Sequence, residues 1–293
     1  MSPISVREVL ARAAGVLRRS GVDSARLDAE VLLAHVMRTS RTGLYMKSEG
    51  CLTDSQLNKF TELIDRRLQR EPVSYLTGEK EFMSLEFRVT RDVLIPRPET
   101  EILVEWVIKK VEKLLLSNNN TIILDVGTGS GAIAVSLAKY VPLVKVWALD
   151  VSEKALALAR ENAQRMSVGH RIEFLCSDLL TGIPPGLKGG VDFIVANLPY
   201  IPSADIPHLQ AEVKFEPVTA LDGGGDGLDL YRRLIPQARD VLKTGGWLGM
   251  EMGISQTKAL ASLLPDSCWG GGVQVLKDYA GLDRFIVAGR KTS

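Results

Sequence analysis

Residues 121–150 read TIILDVGTGSGAIAVSLAKYVPLVKVWALD, and this stretch decides the fold. The apolar run at 121–126 (TIILDV) reads as the first strand. Gly127-Thr128-Gly129-Ser130-Gly131 follows at once, and a helix is expected from about Ala132 to Lys139. A second apolar run at 144–149 ends in Asp150. Strand, glycine turn, helix and strand in this order imply a mostly parallel sheet. Working outward, Ala155, Leu156, Ala159 and Ala163 mark the inner face of the next helix. Residues 171–175 form a third strand that leads to Ser177-Asp178-Leu179, and residues 191–200 (VDFIVANLPY) contain a fourth.

The glycines allow a tight turn beside a helix N-terminus, where a ligand can approach the backbone closely. An acid at the end of the neighbouring strand, about twenty residues on, is placed to bind the two hydroxyls of a ribose. Gly127-x-Gly129-x-x-Ala132 also satisfies the relaxed dinucleotide fingerprint, so the loop alone leaves a nicotinamide or flavin enzyme open. The fourth strand stops at Asn197-Leu198-Pro199-Tyr200. Pro199 cannot donate to a ladder and holds Leu198 extended, which makes a stiff corner with an amide side chain, free carbonyls and an aromatic ring. Those parts suit a planar amino group, whose two N–H bonds need two acceptors. An ordinary strand-ending turn is the plain alternative. Asp125, Asp150, Asp178 and the Asn197 corner are all expected at one carboxyl edge of the sheet, where open α/β folds bind ligands.

The N-terminal seventy or so residues read as helices. Val6, Val9, Leu10, Ala13, Val16 and Leu17 share a face that Gly21 closes, and Ser24 is placed to cap a second helix burying Leu27, Val31, Ala34 and Met37. Thr53 with Gln56 makes a capping box before Leu57, Phe60, Ile64 and Leu68, and Glu71-Pro72 ends that run. Alternation at Phe82, Leu85, Phe87, Val89, Val93 and Ile95 predicts a hairpin joining two domains. A helix follows Pro98, with Glu99 and Glu101 near its positive end and Ile102, Leu103, Trp106, Val107, Val111 and Leu114 inward. Ser117-Asn118-Asn119-Asn120 is a polar breaker. Residues 245–251, 273–277 and 284–287 complete the sheet, the last two as an antiparallel hairpin. The glycine-rich residues 222–227 are either a surface turn or a substrate-facing loop.

The 293 residues are 45% hydrophobic and 24% charged, the balance of a globular chain, with a formal charge of +1 that argues against a broad field for long nucleic acid. Cys51, Cys176 and Cys268 are odd in number and scattered, as in a reduced cytoplasmic protein, and the three isolated histidines suggest no metal site. No apolar run is long enough to span a bilayer, so no membrane partner is expected.

Asp125-x-Gly127-x-Gly129-x-Gly131 with Asp150 resembles the S-adenosylmethionine site of class I methyltransferases, and Asn197-Leu198-Pro199-Tyr200 resembles the Asn-Pro-Pro-Tyr motif of their amino-methylating branch. Residues 95–101 (IPRPETE), Phe215-Glu216-Pro217, Ala220-Leu221-x-Gly223-Gly224, Asp226-Gly227-Leu228 and Glu251-x-Gly253 extend the likeness over nearly the whole chain. Together they resemble the peptide-chain release factor N5-glutamine methyltransferases; Pro98-Glu99-Thr100-Glu101 separates this branch from relatives acting on a ribosomal protein. The resemblance implies a Rossmann-like methyltransferase domain at 98–293, a hairpin linker at 81–97 and a helical substrate-recognition domain at 1–80. It implies S-adenosylmethionine as cofactor, with S-adenosylhomocysteine as product, held by Asp125, Gly127, Thr128, Gly129, Ser130, Gly131, Asp150, Asp178, Leu179 and Asn197. The substrate is then the glutamine of the Gly-Gly-Gln loop in class I release factors, held by Asn197, Leu198, Pro199 and Tyr200, with the enzyme a cytoplasmic monomer. The family's second motif residue is usually proline; Leu198 keeps the carbonyl that the target amide requires but not the ring's rigidity. A ribosomal-protein glutamine methyltransferase and an adenine-N6 nucleic-acid methyltransferase are the competing expectations. The second is disfavoured because no basic, aromatic-interleaved segment is present to hold a flipped base.

Overall fold

A computed structural model describes residues 4–115 and 121–291, so the expected breaker at Ser117–Asn120 lies outside the described residues. The chain divides into two compact units. The first comprises residues 1–79 together with 210–215. Its helices are α1 (Val6–Arg19), α2 (Ala25–Met37), α3 (Arg41–Met46), α4 (Asp54–Leu68) and α5 (Val73–Thr77). Ser5 with Glu8, and Thr53 with Gln56, close reciprocal capping boxes on α1 and α4.

Two expectations for α2 are corrected. Ser24 stands at the N-cap without a side-chain cap bond, and the buried face runs through Ala25, Asp28, Ala29, Leu32, Leu33 and the expected Ala34, whereas Leu27 is exposed and Val31 and Met37 are half-buried. The apolar pattern is ambiguous because two acids sit on the inward side. Asp28 pairs with the buried Arg67 at 2.7 Å, and Glu30 accepts from Arg26, Arg41 and Tyr45. Arg67 and Arg70 also grip Glu212 at 2.9 and 2.8 Å, which is why residues 210–215 belong to the helical unit although sequence reasoning puts them with the larger domain.

The second unit comprises residues 80–209 and 216–293. It carries the hairpin β1 (Glu79–Phe82) and β2 (Leu85–Arg88), α6 (Thr100–Leu115), β3 (Thr121–Val126), α7 (Ala132–Tyr140), β4 (Val144–Asp150) and α8 (Glu153–Arg165). Then follow β5 (Ile172–Cys176), β6 (Val191–Ala196), α9 (Asp229–Val241), β7 (Leu242–Glu251), α10 (Thr257–Ser262), β8 (Trp269–Lys277) and β9 (Asp283–Arg290). The expected hairpin is shorter than the alternation suggests. Val89, Val93 and Ile95 are buried, yet residues 89–99 form no strand. Burial of alternate residues came from packing, not from pairing.

The seven-stranded sheet has the order β5-β4-β3-β6-β7-β9-β8. β5, β4, β3, β6 and β7 are parallel; β9 is antiparallel to β7, and β8 to β9. Alternate residues of the central strands feed two cores. Leu124, Ile194, Leu248 and Met250 meet α9 on one face, while Ile123, Phe193 and Val195 meet α6 and α7 on the other. Helices on both faces explain why these strands are apolar throughout. From β3 the chain proceeds outward to β4 and β5, then returns to place β6 on the other side of β3. The gap at the carboxyl ends of β3 and β6 is thus a topological switch point.

Candidate active site

At the switch point Val126 is in register with Ala196, so the glycine loop and the Asn197 corner leave the sheet side by side. Asp125 lies beneath the loop. Its Oδ2 accepts the Thr128 hydroxyl at 2.7 Å and the Ala134 amide at 3.0 Å, while the buried Oδ1 has no partner. Burial raises this carboxyl to about 7 against the pull of those two bonds, and the nearby Asp150 charge pushes the same way as burial. Gly127 takes φ +77°, and a Cβ there would come within 2.9 Å of Leu198 Cδ2, so glycine is what lets loop and corner touch. Around Gly129 the space a Cβ would occupy is open. Gly131 caps α7 and faces Ala159 Cβ on α8.

Asp150 faces the loop from the end of β4. Its Oδ2 accepts from Gly129 N at 2.9 Å and its Oδ1 from Ser152 N at 2.9 Å. Each oxygen keeps further acceptor capacity, so a vicinal diol can still be held. Burial raises its pKa, opposed by the backbone donors.

One cavity in the second unit joins these pieces. It is lined by Gly127, Thr128, Gly129, Ser130, Asp150, Asp178, Leu179, Asn197, Leu198 and Pro199. Asp125, Gly131 and Tyr200 are not among its lining residues. The first two brace the loop from behind. Tyr200 donates its hydroxyl to Glu251 Oε1 at 3.2 Å. Asp178 is exposed and paired with Arg233. An open position beside Gly129, a carboxylate with spare acceptors and the apolar Val126, Leu179 and Ala155 fit an adenosine-bearing cofactor.

Residues that sequence reasoning did not assign complete the cavity. Val93, Leu94, Pro96, Arg97 and Thr100 form one wall, and Pro217, Thr219 and Ala220 another. Glu216 joins these walls by accepting from Arg97 at 2.6 Å and from Ile95 N at 3.1 Å, which unites the 95–101 and 215–217 motifs. Asn162 on α8 is fully buried and bridges Ser130 O at 2.8 Å to the backbone of Arg88. A buried asparagine among alanines was its one sequence signal. α9 was also missed, although Tyr231, Leu234, Ile235, Ala238 and Val241 fall at helical spacing.

Asn197 is oriented from outside the corner. Its Nδ2 donates to Thr100 Oγ1 at 3.1 Å, and that hydroxyl donates to Glu251 Oε2 at 2.6 Å. Leu198 N donates to the Tyr231 hydroxyl at 3.3 Å, a bond that proline at this position would lack. The glycine-rich 222–227 segment backs the corner: Ile201 bridges Asp222, and a Cβ on Gly223 would lie 2.7 Å from Pro199 O. Among the described residues no cluster of His, Cys, Asp or Glu is arranged to hold a metal, and no helix is long and apolar enough to cross a membrane.

The PrmC N-terminal domain family matches residues 8–78, and a methyltransferase domain family matches residues 123–215. The solved structure of a methyltransferase from Pyrococcus furiosus is 18% identical and covers 78% of this chain and 99% of its own, with a TM-score of 0.51; it supports the fold. A release factor glutamine methyltransferase from Moorella thermoacetica is 44% identical, covering 98% of this chain and 99% of that one. Its counterpart from Geobacter sulfurreducens is 40% identical over 98% of this chain and 96% of its own. Carrying a class I methyltransferase fold and matching these relatives end to end, the chain belongs to the release factor glutamine methyltransferase family.

Proposed function

We propose that this protein transfers the methyl group of S-adenosylmethionine to the side-chain amide nitrogen of the glutamine in the Gly-Gly-Gln loop of peptide-chain release factors. The observation that carries the reading is the polarity of Asn197. Its Nδ2 is engaged by Thr100, so its Oδ1 is the atom left to accept from a target NH2 at the cavity. The Leu198 carbonyl is the second acceptor. The family membership supports the choice of substrate.

An amide nitrogen is a weak nucleophile because its lone pair is delocalised into its carbonyl. Two fixed acceptors orient the NH2 and favour the pyramidal geometry required as the N–C bond forms. When bound, S-adenosylmethionine supplies an activated methyl on a sulfonium, which leaves with the bonding pair as a neutral thioether. Asp150 would hold the ribose, the 127–130 loop the methionine end, and Leu179 and Asp178 the adenine side. Positioning for in-line attack accounts for up to about 7–11 kcal/mol in favourable cases. No general base is assigned; the nitrogen sheds its proton to solvent. Residues 1–80 would recognise the release factor, in the cytoplasm and as a monomer.

The test is transfer from labelled S-adenosylmethionine to a purified release factor, the ribosomal large-subunit protein fraction and an adenine-containing oligonucleotide, with the label located by mass spectrometry. Label on the Gly-Gly-Gln glutamine is expected. Label on either other substrate with none on the release factor overturns the reading.

A further inference from the structure

Glu251 is 1% exposed at the end of β7, remote in sequence from every motif that forms the cavity, and it is not a cavity-lining residue. Yet three separate contacts run from it to the Asn197 corner. Oε2 accepts from Thr100, which accepts from Asn197 Nδ2. Oε1 accepts from the Tyr200 hydroxyl. Its backbone carbonyl accepts from Tyr231, whose oxygen accepts Leu198 N–H. Gln256, one turn later, donates to Tyr200 O at 2.8 Å and to Asp226 O at 3.0 Å.

We propose that Glu251 and Thr100 are positioning residues that set which way the Asn197 amide points, so that its oxygen and not its nitrogen meets the substrate. The inference rests on the reading of Asn197 as the acceptor for a target amide. Both Glu251 oxygens act as acceptors, Oε1 from the Tyr200 hydroxyl and Oε2 from Thr100, so the Thr100 proton is committed to Glu251. Thr100 then has only lone pairs to offer Asn197, and only the Nδ2 end of an amide can donate to them. A one-way chain of this kind selects one of two nearly isosteric amide orientations. Without it, the flipped amide would present two donors to a substrate NH2 that also only donates.

The chain makes a prediction that simple support would not. Aspartate at position 197 has an acceptor at both ends and needs no orienting. Full-length wild-type, Thr100→Val, Glu251→Gln, Asn197→Asp and Thr100→Val/Asn197→Asp proteins are compared for methyl transfer to a release factor, with folding followed by thermal melting. Thr100→Val should lower kcat about 10- to 100-fold, the scale of one charge-assisted hydrogen bond, with KM for S-adenosylmethionine changed less than about twofold. Thr100→Ser should restore the rate. Glu251→Gln keeps one oxygen that can still face Thr100 and should lose less; if Thr100→Val does not fold, Thr100→Ala carries the test. In the Asn197→Asp background, Thr100→Val should change kcat less than about threefold. An unchanged kcat in Thr100→Val, or an equal loss in both backgrounds, overturns the proposal. An Asn197→Ala control that turns over normally would instead sink the acceptor reading on which it rests.

Discussion

The glycine loop and the Asn197 corner leave adjacent strands at the same edge of the sheet, but they are built in opposite ways. The loop is held by its own neighbourhood. Asp125 binds Thr128 and Ala134, three and nine residues away, and Gly129 N meets Asp150 across one strand pair. The corner is held from 27 to 97 residues away, by Gly227 packed on Tyr200 and by Thr100, Tyr231, Glu251 and Gln256. Backbone conformation shapes the first, and side-chain polarity directs the second. Under the proposed function the loop cradles a cofactor, which needs bare backbone N–H groups and room, and glycine supplies both locally. Under that same proposed function the corner orients one amide against another, which needs directional bonds, and these come from wherever the fold brings suitable groups.

The largest expected effect falls on the corner. Asn197→Ala removes the acceptor and should lower single-turnover methyl transfer by about 100- to 1,000-fold, the range for deleting one preorganised hydrogen-bonding group. Affinity for S-adenosylmethionine, measured by calorimetry, should change only a few-fold. A folded Ala variant working at near wild-type rate would break the contrast between the two regions.

The brace comes next. Gly227 takes φ +79°, and a Cβ there would collide with the Tyr200 carbonyl oxygen and Gln256 Nε2. Gly227→Ala combines backbone strain with a steric shift of the corner and should destabilise the protein by about 2–4 kcal/mol, read as a lower thermal midpoint and a lower kcat. By contrast Gly225, with nothing near its Cβ position, should accept alanine with little change. Equal behaviour of the two variants would show that the segment does not brace the corner.

On the loop side, Asp150→Ala should weaken S-adenosylmethionine binding by about 1.5–3 kcal/mol for each charge-assisted bond lost. It should leave kcat at saturating cofactor within a few-fold. A large loss of kcat with unchanged affinity would assign Asp150 to chemistry and not to the cofactor.

The smallest effect concerns pH. Burial raises both Asp125 and Glu251 to about 7. Thr128 and the Ala134 amide pull Asp125 back down while Asp150 raises it further; Thr100, Tyr200 and Arg284 pull Glu251 back down while Glu99 raises it further. A carboxyl that holds its proton more tightly folded than unfolded favours the folded state below its unfolded pKa. That advantage disappears as the pH rises through the folded value. The thermal midpoint should therefore fall by a few degrees between about pH 5 and pH 8, and Asp125→Asn with Glu251→Gln should flatten that slope. The paired carboxyls Glu30, Glu212 and Asp226 are shifted downward, so their contribution is lost only at lower pH. A midpoint that rises across this window in the wild-type protein would contradict the burial argument.

Much of this was readable in the residues. The strands of the parallel sheet, the loop, Asp150 and the Asn197 corner follow from short-range patterns, because two-sided burial, tight turns and strand ends each demand particular residue types nearby. The α2 face misled because Asp28 and Glu30 point inward toward arginines that lie far along the chain or on another helix. The hairpin was overextended because alternation reports burial, and Val93 and Ile95 are buried without a strand partner. The partner of the Tyr200 hydroxyl was not legible either, because Glu251 lies fifty-one residues later.

By itself the sequence determined the class of fold, the place of the glycine loop and the presence of an amide and a proline at one strand end. Each rests on interactions among residues close in the chain, where spacing alone settles what can touch. Only the tertiary structure decided how that end is aimed. The Glu251–Thr100–Asn197 chain joins β7, α6 and the end of β6, and its direction exists only when all three are assembled. Hydrogen-bond polarity is a property of the closed network and not of any one residue, so a linear pattern carries the donors and acceptors without saying which of them meet.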